Sequence, residues 1–253
     1  MTGSSVVRAP ADEAGASKIK LNMDLKNKVA VVTGVNKGIG RALTEQLLNK
    51  GAIVAGWGMN KPDIDNHNMH FFKADVRDTA LVEAAYNQTK VTLGDEIHIL
   101  INNAGLGYFG YFEEMPPEQF REIFEINVFG IYNTCRHVIP IMKKQQFGHI
   151  VNISSTAGQE GMAQVAAYCG SKHAVRGISE SLYKELRDFG IKVTCVYPGS
   201  TKTDFFRNSP NIKPHDQMLK PEEVALQIIR ALETSDNFLI TTIEFRPLQP
   251  KPR

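Results

Sequence analysis

From position 28 onward, short runs of β-branched and other apolar residues alternate with longer stretches in which apolar positions recur every three or four residues. The runs at 29–32, 53–57, 69–74, 97–101, 149–153, 192–197 and 238–243 predict strands. Their near-continuous apolar character is what a strand needs when helices cover both faces of a sheet. Between the first two, Ile39, Leu43 and Leu47 fall on one helical stripe that Gly51 can end, and Asp78 can cap a helix carrying Leu81, Val82 and Ala85. Phe120, Ile123, Phe124, Val128 and Ile131 make another stripe, with the amide of Asn127 set inside it. The rhythm predicts an α/β fold: a doubly wound parallel sheet of about seven strands, helices on both faces, in a single domain over 25–253. Ligands are expected at the carboxyl ends of the strands.

Composition narrows the function classes. With 253 residues and 42% apolar positions the chain can bury a full core, and a net charge of +2 with no Lys/Arg block points to neither nucleic acid nor an anionic membrane. No run approaches the roughly 18 apolar residues of a membrane span. Cys135, Cys169 and Cys195 are odd in number and lack a CxxC spacing, which fits buried free thiols in a reducing, cytoplasmic setting. The seven histidines are scattered, so no metal site is indicated. Residues 1–24 lack an apolar signal core and are expected to be a flexible leader.

The chemistry concentrates in short motifs. TGVNKGIG at 33–40 lies between a strand and a helix, where Gly34, Gly38 and Gly40 allow a tight turn, close approach of a phosphate to the backbone, and close helix packing. Its spacing is GxxxGxG and not the general GxGxxG, and by itself it reads as a glycine-rich turn as readily as a nucleotide site. AAYCGSKHAV at 166–175 places Tyr168 and Lys172 four apart on one face of a helix, so the phenol and the ammonium share a small region of space.

Together with NNAG at 102–105, NISS ending in Ser155, and PGSTKT at 198–203, these motifs resemble the short-chain dehydrogenase/reductase family from about residue 25 onward. The resemblance implies a Rossmann-type sheet, a nicotinamide cofactor, and an oxidoreductase moving hydride between that cofactor and a carbonyl or alcohol carbon. It assigns Tyr168 as acid/base, Lys172 as the ammonium that lowers the phenol's pKa, Ser155 as the hydroxyl that orients the substrate oxygen, and Asn127 as holder of a proton-relay water. Ser154 is the rival by adjacency, but adjacent side chains on a strand point to opposite faces, so only one can serve, and the family's spacing to Tyr168 selects Ser155. Cofactor contacts are expected from Gly34, Asn36, Lys37, Gly38, Ile39, Gly40, Asp75, Val76, Asn102, Ala104, Gly105, Tyr168, Lys172, Pro198, Gly199, Thr201 and Thr203. Thr201 departs from the family, which usually carries a small branched apolar residue there.

NADP(H) is expected in preference to NAD(H). The second strand ends GWGMN at 56–60 with no carboxylate to repel a 2′-phosphate, and Lys37, with Lys61, could attract one; against this, Met59 stands where NADP-linked members often carry Arg. Family members commonly associate through the helices that here fall near 117–144 and 165–189, so a homotetramer or homodimer is expected. The alternative to an enzyme is a non-catalytic NAD(P)-sensing regulator of the same fold. Residues 203–220 are expected to form a short substrate lid, in which Phe205 and Phe206 either wall the substrate or pin the loop to the core.

Overall fold

The computed structural model describes residues 23–209 and 213–249. The leader expected over 1–24 lies outside the described residues except for its last two. Met23 belongs to the folded body: its N–H donates to the Glu233 carbonyl at 2.9 Å and its side chain packs on the core.

Seven strands, β1 (Val29–Thr33), β2 (Ile53–Gly58), β3 (Met69–Lys73), β4 (Ile99–Asn102), β5 (Gly148–Ile153), β6 (Ile191–Pro198) and β7 (Thr242–Phe245), make one parallel sheet in the order β3-β2-β1-β4-β5-β6-β7. Among the described residues six α-helices accompany them: α1 (Gly38–Asn49), α2 (Thr79–Leu93), α3 (Pro117–Phe124), α4 (Gly130–Gln145), α5 (Ala166–Leu186) and α6 (Pro221–Leu232). This is the Rossmann-type arrangement expected. The chain winds outward from β1 to β3, then returns to place β4 on the other side of β1. Between those two strands the carboxyl ends diverge and open a crevice.

Strand parity sorts the core into two layers. Ala30, Val32, Ile99, Ile101, Val151 and Ile153 face α1 and α6, where Leu43, Leu47, Ile228 and Ile229 meet them. Val31, Leu100, Ile150 and Trp57 face the other layer, against Val82 of α2, Val138 of α4 and Val175 of α5. Both helix ends anticipated from sequence form as expected. Asp78 accepts hydrogen bonds from Ala80 and Leu81 N–H at 2.9 and 3.1 Å, and the chain leaves α1 through Gly51, whose N–H returns to Leu48.

Two elements differ from expectation. The stretch at 117–144 is not one helix: a π turn over Glu125–Phe129 separates α3 from α4, with Gly130 N–H reaching back five residues to the Glu125 carbonyl. The last strand starts at Thr242 rather than 238, because Phe238 is held in a turn, its N–H on the Ser235 carbonyl and its own carbonyl on Thr234 Oγ1 at 3.1 Å.

Candidate active site

A cleft of about 570 Å³ opens over the carboxyl ends of β1, β4, β5 and β6. One half of it is built by the glycine turn after β1. Gly34 and Gly38 sit at φ +73° and +58°, a region that β-carbon-bearing residues rarely adopt, and a Cβ on Gly34 would come within 3.2 Å of Ala104 Cα. The turn leads into α1, whose N-cap, Lys37, contributes no side-chain hydrogen bond. The first-turn amides of α1 therefore face the cleft without a side-chain acceptor, which is an anion site in helix-dipole terms. Asn36, Lys37 and Ile39 line the cleft. Gly40 does not. It is buried beneath, where any Cβ would strike the Gly34 carbonyl and the Asn103 amide, so its part is helix packing.

Asn102 also departs from expectation. By parity its side chain enters the helix layer, where its Nδ2 donates to Asn152 Oδ1 at 2.8 Å and its Oδ1 accepts from Thr134 Oγ1 at 2.6 Å. The residue that reaches the cleft is Asn103. Its Nδ2 holds the Thr33 and Gly34 carbonyls at 2.9 and 3.2 Å and so fixes the glycine turn. Thr33 Oγ1 supports it by accepting from both Asn103 and Ala104 N–H at 2.9 Å. The sequence carried the signal for Asn103, since in NNAG only one asparagine can face the cleft.

At the outer end, Gly58, Met59, Asn60, Asp75 and Val76 line the wall. Asp75 is paired with Arg77 at 2.7 Å, and that guanidinium holds its carboxyl below the usual range despite partial burial. Arg77 reaches on to Glu122 at 3.0 Å and was not anticipated from sequence. Lys37 Nζ stands 3.6 Å from Asp204 Oδ2, both well exposed.

The opposite half gathers Ser155, Tyr168 and Lys172. Ser154 is turned away, its Oγ donating to the Lys172 carbonyl at 3.0 Å. Ser155 accepts from Ala157 N–H at 3.2 Å and donates to the Pro198 carbonyl at 3.4 Å, and its hydroxyl is near enough to the Tyr168 phenol to favour the phenolate. Lys172 is buried, with Nζ donating to the Ile153 carbonyl at 2.8 Å and lying 5.7 Å from the Tyr168 ring centre. Burial pushes its pKa down to about 8. Burial likewise pushes the Tyr168 phenol well above 10, with the Ser155 hydroxyl only partly opposing it. Desolvation leads both shifts, and Nζ is engaged by the Ile153 carbonyl rather than by the phenol oxygen.

Asn127, inside the π turn, has both of its amide N–H donors occupied. Its Oδ1 accepts from Leu106 N–H at 2.9 Å, and its Nδ2 donates to the Leu106 carbonyl at 2.9 Å and to Ser171 Oγ at 3.0 Å. Its side chain ties the strand-β4 loop to α5 and has no spare N–H donor, so a relay water would find there only the second lone pair of Oδ1, or else the π turn's backbone. Gly105 lies beside it, its Cβ position 3.4 Å from Asn127 Oδ1 and 3.6 Å from Lys172 Nζ. Pro198, Gly199, Thr201 and Thr203 line the floor; Thr201 Oγ1 is held by the Gly199 carbonyl at 2.9 Å, and Thr203 packs on Gly38.

Comparison with known proteins follows this geometry. A family model described as short chain dehydrogenase matches residues 28–213. A 3alpha-hydroxysteroid dehydrogenase of Mediterraneibacter gnavus is 35% identical over 225 residues, 85% of this chain and 88% of that protein. A 3-oxoacyl-[acyl-carrier-protein] reductase of Haemophilus influenzae is 34% identical over 186 residues, 71% and 76% of the two chains. Among solved structures, a serine dehydrogenase complexed with NADP+ superposes with a TM-score of 0.78 at 26% identity, over 86% of this chain and 94% of its own.

Proposed function

The chain belongs to the short-chain dehydrogenase family, and from that premise we propose that Ser155, Tyr168 and Lys172 carry hydride-transfer chemistry at a carbonyl or alcohol carbon. It is an oxidoreductase of the class acting on CH–OH donors with a small-molecule substrate. One observation carries the finer reading: a phenol, a hydroxyl and a lysine converge at one end of a cleft whose other end is a glycine turn before a helix N-terminus without a side-chain cap.

The site fits a nicotinamide dinucleotide. The Gly34–Gly38 turn and the α1 amides would hold its pyrophosphate, Asp75 and Val76 its adenine, and Lys172 its nicotinamide ribose. That cofactor would supply or accept the hydride. Ser155 orients the substrate oxygen toward Tyr168. Because burial keeps Tyr168 protonated, the resting protein holds the acid that carbonyl reduction requires. Alcohol oxidation needs the reverse transfer, onto a phenolate that Lys172 stabilises.

NADP(H) is the proposed preference, supported by the absence of a carboxylate among residues 56–60 and by Lys37 at the turn. We also place the protein in the cytoplasm as a homotetramer or homodimer; Phe129 and Tyr132, 58% and 59% exposed along the π turn and α4, support association there. Nothing in the site favours the non-catalytic sensor. The test is Tyr168→Phe with a panel of carbonyl compounds: hydride transfer should fall by about 100-fold or more while cofactor affinity holds. Retention of a tenth of turnover would remove Tyr168 from proton transfer.

A further inference from the structure

What covers Tyr168 is a set of phenyl rings. The Phe205 ring centre lies 5.2 Å from that of Tyr168, 6.0 Å from that of Phe109 and 5.6 Å from that of Phe206, and Phe109 and Phe206 are 6.1 Å apart. These separations are those of mutually attractive aromatic pairs. Phe205 is seated on Gly107, where a Cβ would come within 2.6 Å of its Cζ, so the ring keeps this place only because position 107 has no side chain. Its turn is also fixed at the root: Phe205 N–H donates to Thr203 Oγ1 at 3.3 Å, and Thr203 rests on Gly38 of the glycine turn. Val165 and Cys169 complete an apolar cluster around Tyr168.

Each charged side chain that lines the cleft has a partner in the protein, of differing strength. Asp75 is paired with Arg77 after β3, Lys37 with Asp204, and Lys172 donates to the Ile153 carbonyl. A substrate whose reacting carbon sits at Tyr168 therefore brings its flanking group to Phe205, backed by Phe109 and Phe206, while the one ammonium nearby, Lys172, belongs to the reacting end of the site. A carboxylate, ammonium or phosphate there would lose its hydration uncompensated. An apolar group would exchange ring–ring contacts for contacts of the same kind.

We propose that Phe109, Phe205 and Phe206 form a substrate-selecting box, with Phe205 as the specificity-determining contact, and that the substrate is a ketone or secondary alcohol flanked by an uncharged apolar group. The proposal rests on the hydride-transfer reading above and deepens it.

A matched pair of probes tests it: 4-methylacetophenone and 4-acetylbenzoate, similar in shape and differing in charge, offered to the full chain with NADPH and NADH. The expected result is a kcat/KM about tenfold or more higher for the methyl compound. Phe205→Ala should raise its KM by about 10–100-fold, more than it lowers kcat, with Phe205→Leu recovering part. Gly107→Ala, which displaces the same ring without touching Ser155, Tyr168 or Lys172, should shift KM in the same direction. Equal or better turnover of 4-acetylbenzoate, or a KM unmoved in both variants, overturns the box while leaving hydride transfer standing. If neither probe is turned over, calorimetric titration in the presence of NADPH decides. Binding of 4-methylacetophenone alone, lost in Phe205→Ala, upholds the box and counts against hydride transfer; absence of that binding overturns the box.

Discussion

Helix α5 takes part in two buried polar clusters that are satisfied to different degrees. Around Ser179, the Asn152 amide donates to Ser179 Oγ at 2.9 Å and accepts from Asn102, which in turn accepts from Thr134 of α4. Ser179 Oγ closes the chain on the Val175 carbonyl at 2.7 Å. Two turns earlier, the Lys172 ammonium makes one hydrogen bond among the described residues, to the Ile153 carbonyl, and its pKa falls to about 8 while that of Tyr168 rises. A fully paired network fastens helix to sheet and leaves nothing to react; an under-paired one holds groups in a high-energy state that a ligand can relieve.

Substitutions in the two clusters should therefore separate activity from stability. The largest effect is expected from Lys172→Met, which should lower hydride transfer by about 100-fold or more and also weaken cofactor binding. The same variant should not be destabilised near neutral pH, since it removes a buried charge with little loss of volume. A loss of rate with unchanged cofactor affinity would confine Lys172 to proton transfer. Asn152→Ala should do the opposite. It strands the Asn102 amide and Ser179, at a cost of roughly 2–4 kcal/mol, which for a chain of this length is a fall in Tm of about 5–15 °C. Activity per folded molecule should change little, and a collapse of activity with an unchanged Tm would mean that the network serves the site.

The pH dependence of stability should sharpen the contrast. Lys172 has a folded pKa of about 8 against an ordinary 10.5, so between those values the unfolded chain binds the proton that the folded one has released. Stability should then rise with pH across that window by on the order of 3 kcal/mol, and the cost of burying the ammonium is fully present below pH 8. Cys135, pushed by burial up to about 11, works against this from pH 9 upward. Chemical denaturation of the wild type and of Lys172→Met at pH 7.5 and 10 isolates the lysine's share. Parallel curves would show that Lys172 is not perturbed.

The sheet was legible because its strands are apolar on both faces, a pattern that few other structures share. The placement of single side chains needed the register as well. In NNAG, motif matching singled out Asn102, yet Ile99, Ile101 and Asn103 fall on one side of β4 and Leu100 and Asn102 on the other, so the cleft receives Asn103. Parity likewise separates Ser154, whose Oγ donates to the Lys172 carbonyl, from Ser155, whose Oγ donates to the Pro198 carbonyl. The π turn at Asn127 was not legible, since its apolar stripe fits an uninterrupted helix equally well and only the Leu106 backbone reveals why the chain widens there. Desolvation at Tyr168 was missed for a related reason: two residues four apart announce a pair, but the ring that packs on the phenol comes from position 205, with Phe109 and Phe206 against it.

The smallest effect expected lies at the other end of the cleft, where charges are exposed rather than buried. Lys37 and Asp204 stand 3.6 Å apart with side chains 52% and 73% exposed, so their pairing is worth no more than about 1 kcal/mol. A 2′-phosphate carries a larger charge than Asp204 and can displace it from Lys37, which would couple cofactor choice to the turn that carries Phe205. Lys37→Ala should accordingly reduce the ratio of kcat/KM for NADPH over NADH by roughly tenfold, near the upper range for a single exposed charge. Asp204→Ala should raise NADPH affinity only about two- to threefold, because it removes a weak competitor. Both changes should shrink as salt is added, since the groups are open to solvent. An NADH preference in the wild type, or a ratio untouched by Lys37→Ala, would leave Lys37 as a partner of Asp204 alone and place cofactor discrimination at Met59 and Asn60, the residues that line the wall after β2.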